Sequence, residues 1–204
     1  MIRIAMRVLA VGALSGLAGC ASPPLHFYTL VPAAGMTAPA GRQPAGLPFE
    51  LLPVSVPAQV DQPQLLVRQG GQGVAVLDGE RWIAPLGDEV RSAMSADLAA
   101  ALDSHDVSGL PGNGKPRLRI RLDLRRFDSV PGNYALIEAV WSVRLLGAGH
   151  AEPVACSSRI RETVAAGYPA LVQGHQRALA RLATQVAAVA RSLGAGEPAR
   201  CPAG

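Results

Sequence analysis

One cysteine in this chain of 204 residues stands where its thiol has a defined chemistry. Leu17-Ala18-Gly19-Cys20 ends an apolar run that starts at Val8, with Arg3 and Arg7 ahead of it. A positive start, a short apolar stretch and small residues before a cut make a secretory signal. A cysteine directly after the cut between Gly19 and Cys20 makes it the lipoprotein kind. The thiol takes a diacylglyceryl group, a peptidase cuts before Cys20, and the freed amine receives a further acyl chain such as palmitate. Small side chains at 18 and 19 fit a narrow peptidase site, and only a thiol there can accept the lipid. The apolar run is too short to cross a bilayer core of about 30 Å, which takes about 20 residues. Each buried CH₂ contributes about 0.8 kcal/mol, so three acyl chains hold a protein on a membrane where one would not. Ala21 carries no charge, so the aspartate that favours inner-membrane retention in enterobacterial sorting is missing, and the outer membrane is the expected site.

With Cys20 used by lipid, Cys156 and Cys201 remain. An exported chain meets an oxidising compartment, where the two could pair. Two separate thiols are equally compatible with the sequence, since Cys201 sits in a Pro- and Gly-containing tail. Neither cysteine lies in a C-x-x-C pair and no His/Cys cluster has ligand spacing, so no metal is expected. His26, His105, His150 and His175 are scattered, and no G-x-S-x-G, H-E-x-x-H, Walker A or full G-x-G-x-x-G occurs. Gly71-Gln72-Gly73 and Gly147-Ala148-Gly149 lack the third glycine and the helix of a phosphate loop. The expectation is a binding or structural component that is not an enzyme and carries no cofactor.

Formal net charge is +4, and loss of Arg3 and Arg7 with the signal lowers it by two. That balance is too weak to argue for nucleic acid. All of the 19 basic residues but Lys115 are arginine, and 22 glycines and 17 prolines accompany them. That bias fits a GC-rich genome better than a binding task. The mature length suits one domain. The divisions expected are a signal over 1–19, a lipidated start with a short strand and flexible connector over 20–47, a folded domain over 48–196 and a tail over 197–204. The connector, rich in Ala, Gly and Pro between residues 32 and 48, is expected to give the domain reach from the membrane.

Strand formers cluster at His26–Val31 and again at Phe49–Val56, where Pro53 predicts an edge or a bend. The stretch Val56–Arg68 leads through a proline-fixed loop into a strand, and Val74–Leu77 returns across a glycine-rich turn as a hairpin. Leu86, Val90, Met94, Leu98 and Leu102 recur every four residues, with Asp88 and Glu89 in the first turn, which predicts a helix packed on a sheet. Leu118, Ile120, Leu122 and Leu124 alternate with Arg117, Arg119, Arg121, Asp123 and Arg125, so one face is buried and the other wet and basic. Two more strands follow, Ala135–Leu145 after a turn at Pro131-Gly132-Asn133, and Val154–Val164 with Arg159 and Arg161 outward. A final helix over Pro169–Leu193 carries Leu179, Leu182, Val186, Val189 and Leu193 on one face, with Gly194 suited to its C-cap. The fold class is α+β: one two-layer domain, an antiparallel or mixed sheet packed with two main helices.

Phe27-Tyr28-Thr29-Leu30, then Leu52-Pro53-Val54-Ser55-Val56-Pro57 with Asp61, Pro63-Gln64 and Arg68, then Trp82 with Pro85-Leu86 opening a helix, follow the lipid-attachment motif in order. This order resembles the ABC-type transport auxiliary lipoproteins over nearly the whole mature chain. The family usually has an aromatic where Gln59 stands, often a basic residue at Gln62, and commonly an acid at Ala84. The resemblance implies a lipoprotein on the periplasmic face of the outer membrane. Its implied partners are an MCE-domain conduit protein and inner-membrane transporter subunits of a lipid-transport system that guards envelope integrity, with assembly into a homo-oligomeric ring as a further implication. The alternative is a stand-alone lipid- or ligand-binding lipoprotein, which needs an apolar cavity between helices and sheet. Gln64, Arg68 and Trp82 are the candidate partner contacts, because the Val56–Arg68 loop and the Trp82–Leu86 turn join rigid prolines to large side chains.

Overall fold

In the computed structural model the described residues are 24–32, 45–112, 114–147 and 152–202. The lipid-attachment motif with Gly19 and Cys20, most of the connector, and His150 lie outside them. Among the described residues, seven strands and two helices run in the order β1 (His26–Tyr28), β2 (Phe49–Leu51), β3 (Gln64–Gln69), β4 (Gly73–Trp82), α1 (Leu86–Leu102), β5 (Arg117–Val130), β6 (Tyr134–Leu146), β7 (Val154–Thr163) and α2 (Tyr168–Gly194).

The alternation of leucine and arginine does what its period demands. β5 pairs with β6 antiparallel, setting Leu118 against Leu145, Ile120 against Val143 and Leu122 against Trp141. β6 continues the meander onto β7, with Trp141 opposite Cys156 and Ile137 opposite Ile160. All of these side chains but Leu145 are buried. β2 adds to β5 in parallel and closes a four-stranded sheet of order β2-β5-β6-β7. As Pro53 requires, this segment is an edge: β2 ends at Leu51, and the chain returns to β5 only as a bridge from Ser55 to Asp123. The 27 residues of α2 lie on the inner face of this sheet, chiefly over β6 and β7, and α1 packs on α2. Trp141 donates its indole N–H to Ser158 Oγ at 2.9 Å, and Ser158 donates on to Gln185 Oε1 at 2.6 Å. The one polar atom of this buried ring is thereby satisfied.

The architecture is α+β, but it is built on two sheets rather than one. The expected hairpin forms from β3 and β4, and β1 joins it in parallel to give a second sheet of order β1-β4-β3. This placement changes the role expected of the connector. β1 precedes the connector in the chain, yet it is already part of the fold. Leu30 is fully buried, and Glu89 in the first turn of α1 accepts bonds from Thr29 Oγ1 and the Leu30 amide, both at 2.7 Å. The distance between fold and any lipid at Cys20 is therefore set by the few residues before β1, not by residues 33–44.

The alternation of β5 holds over Leu118–Leu124, and a bulge between Leu124 and Arg126 then adds a residue and flips the phase. From there on Phe127 and Ser129 point inward. Gly194 is the last residue of α2, not its cap. The cap is Ala195 in a right-handed conformation, and Gly196 takes the positive φ of 71°. One glycine with a packing role is Gly174, where an added Cβ would stand 2.2 Å from Val164 Cγ1 and 3.2 Å from Ala135 Cβ. Its bare backbone lets α2 close onto the sheet just before His175.

Candidate functional site

The Val56–Arg68 loop and the Trp82–Leu86 turn meet in space. Pro57 and Pro63 fix φ at the ends of a tight turn closed by the Val60 amide on the Pro57 carbonyl at 3.0 Å. The Trp82 amide then bonds the Pro63 carbonyl at 2.8 Å, and the Ile83 amide bonds the Tyr28 carbonyl at 2.9 Å. Asp61, Gln62 and Pro63 on one side and Trp82–Pro85 on the other line a shallow groove of about 340 Å³.

Trp82 itself faces away from that groove's mouth. It is only 5% exposed and sits edge-on to Phe127, with ring centroids 6.2 Å apart. Phe127 stacks on His175, with ring centroids 3.8 Å apart and the planes nearly parallel. Trp82 thus ends an aromatic column in the core and offers a partner almost no surface. Gln64 begins β3 opposite Arg81 and is half-buried. Arg68 lies at the far end of β3, where its Nε is 3.0 Å from Asp128 Oδ1. Arg126 holds the other oxygen of that buried carboxylate at 2.5 Å. Burial leaves Asp128 dependent on both arginines, since one unpaired buried charge is costly. Around Arg68 a second, smaller groove of about 130 Å³ is lined by Pro57, Val60, Leu66, Val74 and Phe127 among others. Of the three candidate contacts, Arg68 alone borders this groove, and Gln64 and Trp82 belong to the frame.

His175 has no local catalytic signature in the sequence, yet the fold sets it against a serine. It is 0% exposed, and its Nε2 lies 2.8 Å from Ser129 Oγ, while Nδ1 has no partner. A serine beside a histidine can do acyl transfer, but here both are sealed beneath Phe127 and Nδ1 faces no carboxylate that would orient the ring. Burial pushes the His175 pKa down to about 3, so the ring is neutral at physiological pH. The signal was in the sequence: Leu171, His175, Leu179, Leu182 and Val186 keep a helical stripe of 4, 4, 3 and 4. Glu89 was missed likewise, because its place three residues after Leu86 lies on the buried side of α1. His26 is bonded to Glu80 at 3.0 Å on β1, and His105 lies in the exposed connector after α1, so the described histidines do not converge. Tyr28 donates to Glu80 as well, at 2.6 Å, and burial together with that carboxylate raises its pKa to about 12. Among the described residues no three His, Cys, Asp or Glu side chains gather as a metal site.

Cys156 and Cys201 are bonded to each other in the structure, with Cα atoms 5.5 Å apart, so the tail is tied to β7.

The family profile described as "ABC-type transport auxiliary lipoprotein component" matches residues 28–187. The chain belongs to this family. Its matched span runs from Tyr28 in β1 through most of α2, so both sheets and both helices are the family's fold. Among the solved structures that share this fold are two with high coverage. One, a crystal structure of an uncharacterized protein, has a TM-score of 0.63 at 14% identity and covers 81% of this chain and 97% of its own. The other, a Xanthomonas campestris protein of family DUF330, has a TM-score of 0.55 at 16% identity and covers 79% and 92%. A putative lipoprotein from Caulobacter crescentus CB15 aligns over 54% of this chain and 87% of its own at 18% identity and a TM-score of 0.36, a likeness that carries no argument. No curated protein matches the chain.

Proposed function

We propose that the chain is a lipid-anchored, non-enzymatic component of an ABC-type transport system, held by acylated Cys20 at the periplasmic face of the outer membrane. There it docks an MCE-domain conduit that carries lipid to or from inner-membrane transporter subunits and so supports envelope integrity. The observation that carries this reading is the family match over residues 28–187, a few residues downstream of a complete lipid-attachment motif. The filled core also supports it. A stand-alone lipid carrier needs a cavity between helices and sheet, yet Leu122, Trp141, Leu179, Leu182 and Val186 close on one another there with almost no exposure. The groove beside Arg68 is well under the roughly 300 Å³ at which small-molecule pockets begin, and the groove of about 340 Å³ beside Trp82 is a shallow surface feature between two loops, not a cavity between helices and sheet. A shallow groove with an apolar rim suits a side chain of a protein partner better.

Two variants test the halves of this proposal separately. Cys20→Ala is expected to lose its acyl mass and to leave the outer-membrane fraction. Retention there after a salt wash would show that lipid is not the anchor. Val74, 51% exposed at the rim of the Arg68 groove, tolerates a polar side chain without loss of core. Val74→Asp is therefore expected to melt like the wild type while losing co-purification with the MCE-domain protein, by about tenfold or more for a buried interface position. Normal capture by Val74→Asp would place docking on another face.

A further inference from the structure

Seven large apolar side chains among the described residues are exposed, and three of them form one strip. Leu25 and Phe27 are 51% and 58% exposed, and Ile83 is 67% exposed. In a strand, alternate residues share a face, so Leu25 and Phe27 point the same way, opposite to Tyr28, which packs inward. The parallel register sets Phe27 beside Arg81 and Tyr28 beside the buried Trp82. Arg81 and Ile83, flanking Trp82, thus share the outward face with Phe27. The Ile83 amide bond to the Tyr28 carbonyl extends the ladder past the end of the strands and holds Ile83 in line. The result is an apolar strip with one arginine, running from the edge strand β1 onto the end of its neighbour β4.

Its position says what covers it. Leu25 is five residues from Cys20, a span of at most about 18 Å when fully extended, while the headgroup layer takes up about 6 Å on each side of a bilayer. β1 has no slack to retreat, since it is bonded to β4 and clamped by Glu89. Aromatic and aliphatic side chains beside an arginine are the composition that lies in an interface, apolar groups among the acyl chains and the cation at the phosphates. We infer that Leu25, Phe27, Arg81 and Ile83 form a membrane-contact face. This strip rests on the phospholipid surface and fixes the orientation of the domain, with the Arg68 groove at the other end of the β3–β4 hairpin left free. The inference rests on the acylation proposed at Cys20.

The test uses the full acylated protein in vesicles of phosphatidylethanolamine and phosphatidylglycerol doped with brominated phosphatidylcholine, which quenches tryptophan at the interface. The native Trp82 and Trp141 are buried and supply the background. Phe27→Trp and, as a second variant should that one fail to fold, Ile83→Trp are expected to lose most of their added emission. Leu110→Trp is the control. Leu110 follows the far end of α1 from the Glu89 clamp, and is itself 66% exposed. Its emission is expected to stay unquenched. Intact mass reports the acyl groups independently. With acylation present, unquenched emission at both strip positions overturns the contact face while leaving the anchor standing, and so does equal quenching at all three positions. With acylation absent, the anchor reading fails and the contact face fails with it.

Discussion

Protein in which Cys156 and Cys201 are both replaced by alanine is expected to lose about 3–4 kcal/mol of folding stability in the chain-entropy account. The bond joins residues 45 apart in sequence, so it closes a loop that contains most of β7 and all of α2. Freed ends in the unfolded chain gain the conformational entropy that the bridge removes. In the folded protein, Ala199 packs against the core within the tied tail, and losing that anchor lets residues 197–202 detach. The measurement is the urea midpoint of the purified protein, wild type against double variant, with and without reductant. Reductant should bring the wild type down to the variant and leave the variant unchanged. Free thiols at both positions in the exported protein, or a midpoint that reductant does not move, would remove the bridge from the account of stability.

The second large effect is a dependence on pH carried by His175. Its pKa is held at about 3 in the fold by burial, against 6.5 in a free side chain. Below pH 6.5 the unfolded chain binds a proton that the folded chain refuses until about pH 3. Stability is therefore full above 6.5 and falls as the pH drops through that window, by about 1.4 kcal/mol per unit. One group works against this trend. Burial raises Asp97 to about 6, so the folded state takes up that proton first, and its contribution is full below 3.8 and lost as pH rises through 6. Asp106, Asp123 and Glu162 are held below their ordinary values and add to the loss only at pH near or below their usual carboxylate range. A wild-type curve alone would mix these terms, and the difference from His175→Gln separates them. The amide keeps a polar atom near Ser129 Oγ but does not titrate. Between pH 7 and pH 5 the wild type should lose about 2 kcal/mol more than the variant. Parallel curves would mean that water or movement of Phe127 lets His175 take its proton within the fold.

How much of this was legible depended on the range over which each signal acts. The four-residue stripe of α1 and the alternation of Leu118–Leu124 are set by side chains within a turn or a strand of one another, and both elements form where these patterns place them. The hairpin Gln64–Trp82 and the edge character at Pro53 follow from backbone chemistry that a proline or a glycine-rich turn imposes on its neighbours. For Trp82 the sequence left two readings open, a partner contact or a cap on the core above the first helix, for the opposite reason. A tryptophan beside prolines looks the same in sequence whether it points out or in. Only the docking of β4 against Phe127 turned it inward, and that depends on the bulge at Arg125. The adjacent Arg125-Arg126 pair breaks the alternation and marks that bulge, but it does not say which way the phase resumes.

Read alone, the sequence determined what is local: the strands and helices with their buried faces, and the absence of the common catalytic signatures. Tertiary structure decided every relation between distant segments. It paired β1 with β4 across more than fifty residues, seated Thr29 and Leu30 on Glu89, and sealed His175 against Ser129. It also brought Cys201 to Cys156 and set Phe27 and Ile83 on one exposed face. Side-chain type and spacing specify which face of an element is apolar, but not which other element covers that face or whether any does. That choice is made by packing among all the elements at once, through burial and hydrogen-bond satisfaction that no single segment carries.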